Sequence, residues 1–166
     1  MACVIFEDEH LLVVNKPAGI NTHAPAPFAS AGIYEWLRDH EPRWARLAII
    51  HRLDKETSGV LTFSKTDLAN RSLTEQFAQR RVSKSYILLT DRNPPARKFT
   101  IKTALTRAGE KYISRPSHAG ATIAETRFGQ PEIVKPDILA VSDSHKFTSG
   151  RAVLYSLEAE PLTGRT

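Results

Sequence analysis

The chain has 166 residues, of which 41% are hydrophobic and 25% are charged, as in an ordinary soluble domain. No apolar run approaches the roughly 18–20 residues that a membrane-spanning helix needs, and acidic residues follow Met1 too closely for a secretory signal peptide. The single cysteine, Cys3, excludes an internal disulfide. We therefore expect a cytoplasmic protein with its own hydrophobic core and no membrane partner.

Positive charge is concentrated in one stretch of the chain. The whole sequence carries 23 basic and 18 acidic residues. Residues 80–115 contain ten basic and two acidic residues, whereas the remainder is slightly acidic. Such polarity is typical of a surface that binds a polyanion. From the charge alone, a solvated basic face is an equally good interpretation.

Strand and helix signals alternate irregularly in the first half of the chain. Apolar residues at helical spacing indicate helices, and β-branched runs bounded by proline or glycine indicate strands. The predicted elements are strands at residues 4–6 and 11–15, a helix at about 31–39, a short apolar run at 48–50, a strand at 58–64, and a helix that Thr66 or Asp67 would cap.

The second half of the chain is richer in strands. Alternating polarity predicts strands at residues 82–90, 99–104, 111–114, 122–128 and 151–159, with a long loop or lid at 130–150 that has room for one strand. Strands outnumber helices and do not alternate with them regularly. The sequence therefore predicts an α+β fold with a mixed, mainly antiparallel sheet flanked by helices and loops.

Several kinds of site lack their sequence signals. The six histidines are scattered, with no pair at the spacing that a helical metal site needs. The eight glycines do not cluster as a phosphate-binding loop requires, and Ser58 lacks the flanking pattern of a nucleophile elbow. We therefore expect neither a metal nor an organic cofactor.

The densest group of polar residues occupies residues 51–59, immediately before a strand that is expected to be buried. Asp54 lies between Arg52 and Lys55, and an ionised aspartate can act as a nucleophile or as an electrostatic stabiliser. Polar groups at the mouth of a core strand are costly unless they pair or take part in chemistry. A charged turn with a local side-chain hydrogen bond is the other interpretation, and such turns are common.

This segment, H-R-L-D-K-E-T-S-G, resembles the signature of the RluA-type RNA pseudouridine synthases. Three further segments match the same family in the same order. They are residues 5–19, which end in N-K-P-A-G; the pattern F-x-x-R-x-V-x-K-x-Y from Phe77 to Tyr86; and L-T-G-R-T at residues 162–166. The resemblance covers nearly the whole chain.

The resemblance implies a pseudouridine-synthase-like fold with a central RNA-binding cleft, and three catalytic residues. Asp54 falls on the family's catalytic aspartate, which attacks the ribose or abstracts a ribose proton; the sequence does not distinguish these routes. Arg52 falls on the arginine that handles the flipped nucleotide. Tyr86 falls on the tyrosine that packs against the target base and is a candidate for removing its carbon-5 proton. Without the resemblance, Tyr86 would be interpreted as a core strand residue.

The implied function is the isomerisation of specific uridines in ribosomal or transfer RNA to pseudouridine, without a cofactor. RNA is the expected partner, and no obligatory protein partner is predicted. Further residues are expected to contact the substrate, namely His51, Lys84, Arg80, Arg81 and Arg165. Two alternatives remain open: a non-catalytic RNA-binding protein on the same fold, and an Asp-based hydrolase in which the motif is fortuitous.

The sequence departs from the family pattern at its end. The motif that begins at Thr163 normally continues with H-Q-I-R, whose last arginine is the expected ion-pair partner of the catalytic aspartate. Arg165 is the earlier arginine of that motif and does not take this role. We therefore expect residues 1–166 to form a single, incomplete catalytic domain, without a separate N-terminal RNA-binding module, that is weakly active or inactive alone.

Overall fold

A computed structural model describes residues 3–26, 30–109, 111–116, 122–134 and 153–163, without the side chains of residues 107, 111 and 112. The chain divides into two compact units, Met1–Arg81 and Val82–Thr166. Each unit has its own sheet, and every described strand pair is antiparallel.

The first unit is a four-stranded sheet with two helices. Its elements are β1 (Cys3–Glu7), β2 (Leu11–Lys16), α1 (Ile33–His40), a 3-10 turn (Pro42–Trp44), β3 (Ala48–Ile49), β4 (Gly59–Ser64) and α2 (Asp67–Ala78). The strand order is β1-β2-β4-β3. The hydroxyl of Thr66 accepts the Ala69 N–H at 3.3 Å, which confirms one of the two predicted caps of α2.

Alternation along the two central strands forms the core of this unit. Leu12 and Val14 of β2 are fully buried, and they lie opposite Phe63 and Leu61 of β4. The same alternation brings Lys16 to the buried face. The core is completed from α1, the 3-10 turn and neighbouring segments by Ile33, Leu37, Trp44, Leu47, Leu53 and Ala69.

The second unit is a sheet of six strands. These are β5 (Tyr86–Thr90), β6 (Phe99–Ala108), β7 (Lys111–Arg115), β8 (Ile123–Phe128), β9 (Glu132–Ile133) and β10 (Tyr155–Pro161). The order is β5-β10-β8-β6-β7, with β9 also paired to β10. Described residues buried in this unit are Ala104, Leu154, Leu157 and Ala159.

The predicted α+β class and mainly antiparallel pairing are confirmed, with differences at strand ends. The strand predicted at residues 82–90 begins only at Tyr86, opposite Ala159. Continuing this register would bring Lys84 opposite Pro161, which has no N–H to donate. The strand predicted at 151–159 is β10, displaced towards the C-terminus, and β9 supplies the one strand allowed at 130–150. Residues 135–152 lie outside the described part of the chain.

Among the described residues, no helix combines the length and the apolar character that crossing a membrane requires.

Candidate active site

The polar segment singled out in the sequence forms the connection between β3 and β4. Leu53 is 8% exposed, whereas its neighbours Arg52 and Asp54 are both exposed. The Thr57 N–H donates to the carbonyl of Asp54 at 3.1 Å, so the segment contains a turn that is closed by a backbone hydrogen bond. Leu53 therefore anchors a turn that presents a guanidinium and a carboxylate to solvent on either side of it.

The turn at residues 16–19, which follows β2, is hydrogen-bonded to residues 51–58, which we call the Asp54 loop. The Lys55 carbonyl accepts the Gly19 N–H at 2.8 Å and the Lys16 Nζ at 3.2 Å. Lys16 also donates to the carbonyls of Pro17 at 3.0 Å and Ile20 at 2.7 Å. Burial lowers the pKa of Lys16, while the carboxylates of Glu56 and Asp54 act in the opposite direction. Two segments that match the family pattern, the turn at residues 16–19 and the Asp54 loop, are thus hydrogen-bonded directly to each other.

His51 fixes the start of the same loop. Its Nε2 accepts the backbone N–H of Thr62 in β4 at 3.1 Å, and its ring stacks on Phe77 of α2 with a centroid distance of 5.0 Å and an interplanar angle of 18°. Phe77 is the first residue of the family-like pattern that ends at Tyr86. Parts of three matched segments therefore meet around the Asp54 loop within the first unit. A contact of His51 with RNA stays a prediction.

Lys84 and Tyr86 belong to the second unit, where each is half-buried. Tyr86 begins β5 opposite Ala159, and Leu88 lies opposite Leu157. Because alternate strand residues share a face, Tyr86 lies on the same side of the sheet as these apolar residues. Its roles in base packing and proton removal stay predictions.

Arg80 and Arg81 follow the C-terminus of helix α2, where the backbone has an unusual conformation. The Arg80 N–H donates to the Phe77 carbonyl at 3.1 Å, and the Arg81 N–H donates to the Gln76 carbonyl at 2.9 Å. These two bonds are those of a Schellman motif, in which the first residue beyond the cap is left-handed and is usually glycine. Arg80 takes that conformation with φ 57°. Both arginines are exposed, and Arg81 Nη2 lies 3.6 Å from Glu75 Oε1.

The final matched segment is described only through Thr163. The Thr163 hydroxyl accepts the Glu125 N–H at 3.1 Å, and the Leu162 N–H donates to the Glu125 carbonyl at 2.8 Å. The segment therefore packs back against β8. Arg165 lies outside the described residues, so its substrate contact stays a prediction.

Two residues that hold the loop were not assigned a role from the sequence. Thr22 is 3% exposed, and its hydroxyl bonds both the N–H and the carbonyl of Leu53. Nothing in the local sequence marks this threonine. For Lys16 there was a signal, because it continues the inward alternation of Leu12 and Val14, where a charge is unexpected unless it is paired.

Comparison with known proteins agrees with the resemblance found in the sequence motifs. The family model described as RNA pseudouridylate synthase matches residues 10–166. The chain is 34% identical to "Ribosomal large subunit pseudouridine synthase C" of Pasteurella multocida (strain Pm70) over 167 residues, which cover 98% of this chain and 45% of that protein. The protein of the same name from Escherichia coli (strain K12) is 32% identical, with 98% and 46% covered. The chain thus spans a little under half the length of these curated relatives.

Two solved human structures share the fold. "Human RNA Pseudouridylate Synthase Domain Containing 1" gives a TM-score of 0.74 at 22% identity and covers 99% of this chain and 61% of that one. "Human RNA Pseudouridylate Synthase Domain Containing 4" gives 0.65 at 21% identity, with 99% and 60% covered. At these identities the similarity establishes the architecture.

Proposed function

The chain belongs to the RNA pseudouridylate synthase family, and from this premise we propose that it carries the catalytic aspartate of an enzyme that isomerises uridine in RNA to pseudouridine. Ribosomal RNA is the first substrate to test, since the curated relatives are named for the large ribosomal subunit, and transfer RNA is the second. We place the reaction in the cytoplasm, without an obligatory protein partner.

One observation carries this proposal. The Asp54 loop is bonded from the turn at residues 16–19, from Thr22 and through His51, yet Asp54 and Arg52 themselves remain exposed. Groups held in place by their neighbours and open to solvent suit a substrate that arrives from outside. The long-range bonds from Lys16, Gly19 and Thr22 reach the backbone of Lys55 and Leu53, the two residues that flank Asp54.

The proposed reaction keeps its atoms in balance. The bond between uracil N1 and ribose C1′ breaks, the base turns, and a bond forms between uracil C5 and C1′. The proton on C5 leaves, and N1 gains a proton. Asp54 starts this sequence, either by attacking the ribose or by abstracting a ribose proton. No electrons are gained or lost overall.

Arg52 and Tyr86 are proposed to handle the base. The target uridine must leave its stack, which costs a few kcal/mol. A guanidinium can stack on a base or occupy the space that the base vacates, and exposed Arg52, next to Leu53, suits that task. A tyrosine offers a flat apolar face to uracil, with a hydroxyl for its polar edge.

The basic residues are proposed to bind the RNA backbone. Arg80, Arg81 and Lys84 lie within the basic stretch, and His51 and Arg165 complete the set assigned to substrate contact. Each Lys or Arg that neutralises a phosphate adds to the salt dependence of binding. The affinity for RNA is therefore expected to fall steeply as the salt concentration rises.

The test measures tritium released from RNA labelled at uridine C5. Asp54→Asn keeps the size of the side chain and removes the carboxylate, so we expect release to stop while RNA affinity changes little. Glu56→Gln is the matched control, because this exposed carboxylate lies two residues away in the same loop. Equal loss of release in both variants would contradict a specific role for Asp54.

The assay also separates the alternatives. Because the chain spans under half the length of its curated relatives, release is measured with residues 1–166 and with the full reading frame to which they belong, whatever its length. We propose that residues 1–166 form one incomplete catalytic domain, so we expect a form of the chain that includes a complete C-terminal family segment to be far more active. RNA binding without release in either form would favour the non-catalytic RNA-binding protein.

A further inference from the structure

Thr22 joins the Asp54 loop to the segment before α1. Its hydroxyl accepts the Leu53 N–H at 3.1 Å and donates to the Leu53 carbonyl at 2.9 Å. Leu53 and Thr22 are 8% and 3% exposed, so these bonds are shielded from water. One side chain therefore fixes the peptide groups on both sides of Leu53, and these lead directly to Arg52 and Asp54.

The backbone around Thr22 is itself fixed to the first turn of α1. The carbonyls of Asn21 and Thr22 accept the N–H groups of Ile33 and Tyr34 at 2.9 and 3.0 Å. These donors have no partner inside a helix, because the first turn lacks preceding carbonyls. The Glu35 carboxylate adds a bond from the Ala24 N–H at 3.1 Å. Thr22 thus links the first turn of α1 to the Asp54 loop.

Gly32 sets how closely these two segments approach. A Cβ atom at Gly32 would lie 2.5 Å from Cα, 2.6 Å from N and 2.8 Å from C of His23. All three contacts are with backbone, which cannot move aside as a flexible side chain can. The helix start and residues 21–23 can therefore adopt this spacing only without a side chain at position 32.

We propose that Thr22 is a positioning residue for Asp54, acting through the backbone of Leu53; this rests on the proposed isomerase function. When the hydroxyl is lost, a donor and an acceptor of Leu53 are left buried without this partner. The backbone of the loop is then freer to move at Asp54, the residue that carries the carboxylate. Displacing a catalytic group by about 1 Å can reduce turnover by about 100-fold.

The test compares Thr22→Val, which keeps the shape and removes the hydroxyl, with Thr22→Ser, which keeps the hydroxyl. Tritium release is measured with the full reading frame to which the chain belongs. We expect Thr22→Val to lower kcat by about 10- to 100-fold. The KM for RNA should change less than about threefold, because the proposed phosphate contacts are untouched. Thr22→Ser should recover most of kcat.

Amide hydrogen exchange at Leu53 gives a readout that does not depend on catalysis. Exchange should accelerate in Thr22→Val and stay slow in Thr22→Ser. Should Thr22→Val fail to fold, Thr22→Cys serves as the second variant, because a thiol keeps a small side chain but is a much weaker hydrogen-bond donor and acceptor than a hydroxyl. It is expected to lower kcat in the same way.

The outcomes separate the two levels of the proposal. Turnover by the unsubstituted protein, with an equal kcat in Thr22→Val, would overturn the role of Thr22 and leave the isomerase function standing. An equal loss in Thr22→Val and Thr22→Ser would overturn the role of the hydroxyl. No release by the unsubstituted protein on ribosomal or transfer RNA would overturn the proposed function, and this inference with it.

Discussion

The Nε2 atom of His51 accepts a hydrogen bond from the backbone N–H of Thr62 at 3.1 Å. A neutral imidazole that accepts at Nε2 carries its proton on Nδ1, so the bond selects one tautomer of the ring. The stacked Phe77 holds the ring plane. The side chain of His51, which precedes Arg52, therefore accepts a backbone N–H of β4, much as a carbonyl of a neighbouring strand would.

His51→Phe is expected to lower the free energy of unfolding by about 1–3 kcal/mol, because the Thr62 N–H loses this acceptor while an aromatic ring remains against Phe77. Denaturant unfolding followed by circular dichroism measures the change. Phe77→Leu, which removes the stacking and leaves the hydrogen bond, is the control for packing. Stability equal to that of the unsubstituted chain in His51→Phe would show that the hydrogen bond contributes nothing.

Lys16→Met is expected to be more destabilising, by about 2–4 kcal/mol, because three carbonyls lose a charged donor at a buried position. The same unfolding experiment measures it. Asn15→Met is the matched control, since Asn15 is the adjacent residue and is exposed. A large loss in the control, or none in Lys16→Met, contradicts the assignment of Lys16 as the centre of this network.

Glu7 provides a prediction about pH. Its Oε1 accepts from Lys65 Nζ at 2.8 Å and from Trp44 Nε1 at 2.9 Å. These two bonds hold the pKa of Glu7 below its usual value of 4.5, with burial opposing them. A lowered pKa means that the folded state favours the ionised form. The stabilisation is therefore complete above pH 4.5 and is lost as the pH falls through the folded-state pKa.

Glu7→Gln should accordingly lower the free energy of unfolding by about 1–2 kcal/mol at pH 7. The difference from the unsubstituted chain should shrink as the pH is lowered from 4.5 through the acid range. Urea unfolding at a series of pH values measures both. Glu9→Gln is the control and is expected to change stability little, because the Glu9 side chain is 83% exposed. A pH-independent difference for Glu7→Gln would contradict the role of its charge.

Arg80→Gly is expected to change stability and binding in opposite directions. The left-handed conformation costs a residue with a Cβ about 1–2 kcal/mol, which the greater freedom of unfolded glycine offsets by about 0.5–1 kcal/mol. The melting temperature should therefore rise by about 2–4 °C. If Arg80 contacts a phosphate as proposed, RNA affinity falls and the slope of log K against log salt decreases by about 1.

Arg80→Lys, which retains the charge and the backbone cost, separates these effects. It should leave both the melting temperature and the salt slope nearly unchanged. Fluorescence anisotropy with labelled RNA at several salt concentrations measures the binding. Unchanged affinity in Arg80→Gly would remove Arg80 from the proposed RNA contacts, whatever happens to stability.

Local patterns in the sequence predicted most of the fold and the centre of the candidate site. The alternation of Leu12 and Val14 defined a strand, and the Thr66 cap marked the start of α2. Asp54 and Arg52 were located by their motif alone. Each of these signals lies within a few neighbouring residues, where the side-chain period or the chemistry of a turn determines the outcome.

Only the tertiary structure decided which distant groups hold the loop. Thr22 lies 31 residues from Leu53, and Lys16 lies 39 residues from Lys55. The position of a threonine in a loop follows no side-chain periodicity that would identify its hydrogen-bond partner. A buried lysine predicts that a partner exists but does not identify it. The partner depends on how the chain folds between the two segments. Here the absence of a side chain at Gly32 allows the backbone of His23 to approach the start of α1. The sequence identified the candidate reactive groups, and the folding of the loops against one another determined how they are held.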